Sequence, residues 1–224
     1  MKNAAVLWTG GKDSVLALLA VQDRLRVEQL VTFVPDPPRP FLAHPLVCMS
    51  HQAEALQMKH RCVPVREPLK ESYERAIAEL AAGGTEVLVT GDMDRVEGHD
   101  NWIAERARGL VEVERPLWQA DRVATLQKLR SLEMRVVCTL ARKSCFDETI
   151  AGRALDRALL AELSERHGHE GFDACGENGE YHTCVLDAPG FKYGLRLVGQ
   201  RVEETGDFCH LCFDSIEPVS KDGR

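Results

Sequence analysis

Thr9-Gly10-Gly11-Lys12-Asp13-Ser14 decides the reading of this chain. It follows the apolar run Ala4-Ala5-Val6-Leu7-Trp8 and opens Val15-Leu16-Ala17-Leu18-Leu19-Ala20-Val21. That order predicts strand, glycine loop, helix. Two adjacent glycines let the backbone approach an anion with no Cβ in the way. The N–H groups of a first helical turn, at the positive end of its dipole, favour phosphate. Lys12 adds a point charge and Ser14 a hydroxyl donor.

Two better-known phosphate loops do not fit. A Walker A loop requires Gly-x-x-x-x-Gly-Lys followed by Ser or Thr. Here Lys12 is followed by Asp13, and the earlier glycine would fall on Val6. The Gly-x-Gly-x-x-Gly fingerprint also lacks its glycines. The stretch resembles the pyrophosphate loop of the ATP pyrophosphatases, usually Ser-Gly-Gly-x-Asp-Ser, with Thr9 for the first Ser. That resemblance implies cleavage of ATP between its α and β phosphates and adenylation of a substrate oxygen. The competing reading is a glycine-rich strand–helix turn with no ligand.

Length and composition set the bounds. The 224 residues suffice for one large domain or for one domain with a small appendage, and 44% hydrophobic content supports a real core. No apolar run approaches the ~20 residues of a membrane span, and the first strand is not a signal peptide, so a cytoplasmic protein with no membrane partner is expected. A net charge of −7 without a Lys/Arg cluster argues against a nucleic-acid partner. The eight cysteines lie in apolar surroundings and are expected as reduced thiols. Cys209-His210-Leu211-Cys212 is the one C-x-x-C pair. A zinc site would want a second such pair, so the pair reads as a strand or loop with two partly buried thiols.

Strand and helix signals alternate through the first two-thirds. Strands are expected at Gln29–Val34, Arg61–Val65, Glu86–Thr90, Leu110–Val113 and Arg135–Leu140. Pro64 places the second of these near a sheet edge. Helices are expected at Ser50–Met58, capped by Ser50, and at Lys70–Ala82, Asn101–Gly109 and Arg122–Leu132. The alternation predicts an α/β fold, a Rossmann-like α/β/α parallel sheet. Ligands in such folds lie at the carboxyl ends of the strands, where both Thr9–Ser14 and Gly91-Asp92 fall. The rhythm changes after about Asp147, with a helix expected at Arg153–Arg166 and short β segments following. The expected division is therefore a nucleotide-binding domain over 1–146 and a small C-terminal α+β substrate or cap domain over 147–224. Val219–Arg224 reads as a frayed tail.

Gly176-Glu177-Asn178-Gly179-Glu180-Tyr181-His182-Thr183 is the second strong signal. With the first loop it resembles the diphthine–ammonia ligase family, or diphthamide synthetases. Gly91-Asp92-Met93, Pro116-Leu117-Trp118, Gly152-Arg153 followed by Asp156, and Leu186-Asp187-Ala188-Pro189 fit as well. The resemblance runs from about Ala4 to about Pro189. Thr9 departs conservatively from the family's Ser. His182 stands where typical members carry an acidic residue, which bears on the substrate more than on ATP. The resemblance implies an adenine nucleotide hydrolase-like fold with a smaller C-terminal domain. It implies that ATP activates a carboxylate as an acyl-adenylate and that ammonia displaces AMP to give an amide. The acceptor it implies is diphthine on a translation elongation factor; a small-molecule carboxylate stays open, as does a homodimer.

Roles follow position by position. Thr9, Gly10, Gly11, Lys12 and Ser14 are expected to hold pyrophosphate, with Lys12 stabilising the leaving charge. Asp13 either ligates Mg²⁺ or fixes the loop through backbone N–H groups. Gly91 and Asp92 support the nucleotide or the same Mg²⁺, unless Asp92 is only a turn former. Phe33, with Val34, marks where adenine would lie by fold analogy. Glu177 and Glu180 flank an expected tight turn at Asn178-Gly179 and read as a pair for binding ammonium and taking its proton, or as a solvated hairpin tip. Asn178, Tyr181, His182, Thr183 and Arg153 are candidate substrate contacts; Arg153 reads equally as a surface helix residue. His99-Asp100-Asn101-Trp102 is placed at the crevice rim. His167 and His169 are expected to cap carbonyls, and Trp118 to pack in the core or wall the substrate. Two other functions compete with the amide ligase: sulfur transfer to tRNA after the same adenylation, and a nucleotide-sensing module without turnover.

Overall fold

The computed structural model describes residues 1–95 and 101–221. His99, Asp100 and residues 222–224 of the expected tail lie outside the described residues. The chain forms two compact units. The first comprises Met1–Thr9, Asp13–Pro40 and Met58–Gln119; the second comprises Gly10–Lys12, Phe41–Gln57 and Ala120–Arg224.

The first unit is built on β1 (Asn3–Leu7), α1 (which begins at Lys12 and runs to Val21) and β2 (Arg26–Pro35). The second unit takes α2 (Leu46–Leu56), and the first resumes with β3 (Lys59–Val65), α3 (Leu69–Ala82), β4 (Val87–Val89), α4 (Trp102–Arg106) and β5 (Glu112–Glu114). Its five strands lie all parallel in the order β3-β2-β1-β4-β5. The three residues of β4 are buried, as a central parallel strand covered on both faces requires. Pro64 sits on the edge strand β3, where its missing N–H costs no ladder bond. Ala5, Val31, Val63 and Leu88 from four strands meet Ile77 and Leu80 of α3 and Ile103 of α4 in one apolar cluster. The chain returns across β1 between building β3 and β4, so the topological switch lies between β1 and β4.

The second unit adds α5 (Arg122–Ser131), β6 (Arg135–Arg142), α6 (Arg157–Arg166), β7 (Tyr181–Asp187), β8 (Gly194–Val198), β9 (Arg201–Thr205), β10 (Phe208–Cys212) and β11 (Ser215–Val219). Its sheets are antiparallel: β7-β6-β10-β9 and β11-β8. Asp121 and Asp156 cap α5 and α6 by accepting from Ala124 N and Leu159 N. Cys48 of α2 packs with Val137, Cys184, Leu197 and Leu211.

Three local expectations change. The helix expected from Ser50 starts a turn earlier: Leu46 follows Pro45, whose carbonyl accepts from Cys48 N. Ser50 lies inside that helix and donates to Leu46 O, the i−4 bond that hydroxyls make mid-helix. Arg153 precedes α6 instead of lying on it, because Asp156 supplies the cap. Strand β6 joins the antiparallel sheet and not the parallel one. All eight cysteines are free thiols. Among the described residues no helix is long and apolar enough to cross a membrane.

Candidate functional site

In the first unit, β1 and β4 are neighbours, so the segments leaving their carboxyl ends run side by side. A Cβ on Gly91 would lie 2.6 Å from Asp13 C, 2.7 Å from Asp13 O and 2.9 Å from Ser14 N. Only glycine permits that approach of one backbone to another. Asp92 accepts from Asn101 Nδ2. The other end of the same amide, Oδ1, accepts from Ala104 N at 3.0 Å and caps α4. One buried Asn therefore both starts a helix and orients the Asp92 carboxylate. Thr9 Oγ1 and Ser14 Oγ stand 3.5 Å apart across the loop. At the end of β2, half-buried Phe33 meets Tyr73 edge-on with ring centres 5.1 Å apart. Tyr73 meets Trp102 at 4.5 Å, and Trp102 remains 39% exposed. Trp118 lies under the Arg115 guanidinium, 4.0 Å from the ring centre, and is half-buried.

In the second unit, the Gly10–Lys12 backbone is held by α2 and β7, and the Lys12 side chain by Cys175. Gly10 O accepts from Gln52 Nε2 and from Val185 N, each at 2.9 Å. Gln52 Nε2 also donates to Val185 O at 2.7 Å. Gly10 adopts φ +69, and a Cβ there would lie 2.2 Å from Gln52 Oε1. Lys12 N donates to Thr183 Oγ1 at 3.0 Å, and Lys12 Nζ donates to Cys175 O at 2.5 Å. The ammonium stands 5.5 Å from the centre of the Tyr181 ring, within cation–π range. Lys12 is 2% exposed, and these contacts hold its side chain in place. Gln52 is fully buried on α2, and Gln52→Leu removes both of its donors. We expect that variant to lose about 2–3 kcal/mol. Chemical denaturation of the two proteins checks this, and a loss under about 0.5 kcal/mol would contradict the clamp.

The segment Asp173–Glu180 is braced by buried carboxylates. Glu180 accepts from Asp173 N at 2.7 Å and Asn178 N at 3.0 Å, one on each oxygen. Asp173 accepts from Cys175 N at 2.7 Å and from Arg122 Nε at 2.9 Å. Burial works against the Arg122 charge, but the bond to Asp173 and the nearby Glu177 outweigh it and hold the guanidinium above its ordinary range. Gly179 N closes a turn onto Gly176 O at 3.0 Å, as Asn178-Gly179 suggests. Gly176 has φ +85, and its Cβ would lie 2.6 Å from Tyr181 O. Glu177 is half-buried on this turn.

The expected substrate contacts separate into distinct environments. Tyr181 is buried and its hydroxyl donates to Ala174 O at 2.6 Å, so it braces the loop. Thr183 is spent on Lys12 N. Asn178 is exposed and donates to Gly171 O. Arg153 is exposed, 4.0 Å from Glu162, on the surface of its unit. His167 Nδ1 accepts from Ala174 N at 3.3 Å, a backbone N–H and not the carbonyls expected for it. His182 is half-buried and meets His44 edge-on at 4.9 Å. Sequence reasoning missed His44, Gln52, Tyr73, Arg122 and Asp173; each acts across a long sequence gap, and none sits in a recognisable motif.

Burial, then the charges of His182 and Lys12, push His44 down to about 3. The unfolded chain takes up this proton near pH 6.5. Between those values the unfolded state binds more protons, so this contribution is present above about pH 6.5 and is lost as pH falls toward 3. The advantage in melting temperature of the wild type over His44→Asn should therefore shrink between pH 7 and pH 5. A gap that stays constant would contradict a neutral His44.

The chain matches the diphthamide synthase N-terminal domain over residues 1–110 and the diphthamide synthase C-terminal domain over residues 121–215. It is 34% identical over 79 residues to a diphthine–ammonia ligase of Bos taurus. That alignment takes in 34% of this chain and 28% of the relative, so the match spans under a third of the curated relative's length. A solved structure, described as a predicted subunit of tRNA methyltransferase from Methanocaldococcus jannaschii, is similar over 84% of this chain and 98% of its own. The TM-score is 0.44 at 17% identity.

Proposed function

We propose, since this chain belongs to the diphthamide synthase family, that it is an ATP-dependent ligase that turns a carboxylate into an amide. The observation that carries the reading is the pre-set glycine loop: Gly10 clamped by Gln52 and Val185, and Lys12 fixed by Cys175 O and Thr183. Rigid donors and a rigid cation at a helix start suit a departing pyrophosphate, whose charge develops in the transition state. The backbone groups of Gly10 and Gly11, Lys12 and the hydroxyls of Thr9 and Ser14 would bind it. The close approach of Gly91 to the Asp13 and Ser14 backbone holds the end of β4 against the start of α1, beside the loop. The carboxylates of Asp13 and Asp92 are hard oxygen donors and fit Mg²⁺, which would neutralise phosphate charge there. Phe33, Tyr73 and Trp102 offer aromatic faces suited to an adenine ring.

The reaction balances in two steps. A carboxylate oxygen of the acceptor bonds to the α-phosphorus of ATP and pyrophosphate leaves. Ammonia nitrogen then bonds to the acyl carbon, and AMP leaves with the oxygen that joined it. Ammonium must lose a proton before attack. Both oxygens of Glu180 are engaged by backbone N–H groups, so Glu180 positions the loop and half-buried Glu177 is the proton acceptor we assign. Two of the buried thiols, Cys138 and Cys184, give sulfur transfer no support. Burial pushes Cys138 up to about 12, and Cys184 is raised by its bond to Cys48 and by burial, so both stay protonated and unreactive. Diphthine on an elongation factor is the acceptor that the family suggests. Incubation with ATP, Mg²⁺, isotopically labelled ammonium and that factor should place label in an acceptor amide by mass spectrometry. Label absent from this acceptor but present in a small carboxylate would redirect the substrate; ATP binding without any label would favour a sensor.

A further inference from the structure

A second set of chemically capable side chains lies on β9 and β10. Strand alternation puts Cys209 and Leu211, both buried, on one face of β10 and His210 and Cys212 on the other. Cys209 and Cys212 therefore cannot hold one ion together, and the C-x-x-C spacing is the wrong pattern to read. In the antiparallel register His210 stands opposite Glu203, and Cys212 opposite Arg201. A ring nitrogen of His210, a carboxylate oxygen of Glu203 and Sγ of Cys212 all lie within 4.8 Å of one another. Two donors two positions apart on one strand and a third directly across form a three-point claw.

His210 supplies an independent observation. It is 6% exposed, and its buried Nδ1 has no hydrogen-bond partner among the described residues. Buried polar atoms in native proteins nearly always find a partner, and a bound ion is one way to satisfy such a group. The surroundings also suit a ligand set. Arg201 Nε donates to Glu203 Oε1 at 2.9 Å, and Arg201 NH1 donates to Asp214 Oδ1 at 2.9 Å. Arg201 thus orients the carboxylate from outside, as outer partners of metal ligands do, and Cys212 comes close enough to the same carboxylate to hydrogen-bond to it.

We propose that Glu203, His210 and Cys212 form a divalent transition-metal site of the zinc type, with a fourth position open to water or a ligand. Thiolate, imidazole and carboxylate together suit Zn²⁺ and disfavour Mg²⁺ and Ca²⁺, which take oxygen alone. Binding involves no redox change: the Cys212 thiol releases its proton to solvent and the thiolate bonds to the ion. The site is independent of the ligase reading.

The full-length protein, stripped with a chelator, is titrated with Zn²⁺ against a chromophoric competitor, and separately with Co²⁺. One equivalent per chain is expected, together with a thiolate-to-cobalt charge-transfer band. Cys212→Ser and Glu203→Gln, on exposed or half-buried positions that leave the core intact, should each weaken Zn²⁺ binding at least ~10-fold, and Cys212→Ser should abolish the band. Cys145→Ser should change neither. Far-ultraviolet circular dichroism confirms that each variant is folded. No stoichiometric uptake, or affinity within about threefold of wild type in either ligand variant, would overturn the site, since a true ligand is worth at least as much as an outer partner.

Discussion

Lys12→Met is expected to reduce pyrophosphate release from ATP by about 10²–10³-fold while leaving the protein folded. Met keeps most of the volume of a side chain that is only 2% exposed, so no large cavity opens. It removes the ammonium and leaves Cys175 O without that donor. The loss should fall mainly on kcat. The lysine is fixed by Cys175 O and the Tyr181 ring before any ligand arrives, and its charge matters most as the leaving group becomes more negative. Steady-state assays with coupled pyrophosphate detection check this. A variant with unchanged kcat and only a higher KM would assign Lys12 to ground-state binding.

Gly91→Ala is expected to weaken ATP binding at least ~10-fold and to destabilise the protein by about 1–3 kcal/mol. Its Cβ would stand 2.6 Å from Asp13 C and 2.9 Å from Ser14 N. Those atoms are backbone at the start of α1, which cannot swing aside as a side chain can. Either β4 retreats or the loop shifts, and both change the geometry offered to phosphate. Gly206→Asn is the fitting control, since that glycine has φ +56, a region Asn tolerates, with nothing within 4 Å of its Cβ. Titration calorimetry with ATP and thermal melting report both effects. Wild-type affinity in Gly91→Ala would show that the β4 end takes no part in the nucleotide site.

The two glycine-rich stretches were legible because their chemistry is local. Strand, paired glycines, lysine and helix follow one another within a few residues, and β1, α1, β3, α3 and β4 appear where periodicity and breakers place them. Strand β6 was harder to place. Six consecutive buried residues, Val136 to Ala141, look the same in a parallel core strand and in an antiparallel strand covered on both faces. Only its partners β7 and β10, much later in the chain, decide between them. The change of rhythm seen after Asp147 accordingly falls inside the second unit, which already includes α2, α5 and β6.

Long-range partners explain what the sequence hid at the site. Gln52 reads as a polar residue on a helix face, yet it is the clamp on Gly10, 42 positions earlier. Glu180 reads as one of an ammonium-binding pair and Tyr181 as a substrate contact, yet both are buried and bonded to the backbone of their own loop. His210 lies inside the C-x-x-C stretch, yet the residue it faces is Glu203 across a hairpin. Residue type indicates what a side chain can do, but only the fold fixes which partner it meets.

The central claim is tested most directly by the products made from ATP. With Mg²⁺, ammonium and a diphthine-bearing elongation factor, AMP and pyrophosphate should appear in equal amounts, each matched by one amide formed, and Asp13→Ala should suppress all three. ADP and orthophosphate as the products, or ATP binding with no product under these conditions, would contradict an adenylating amide ligase.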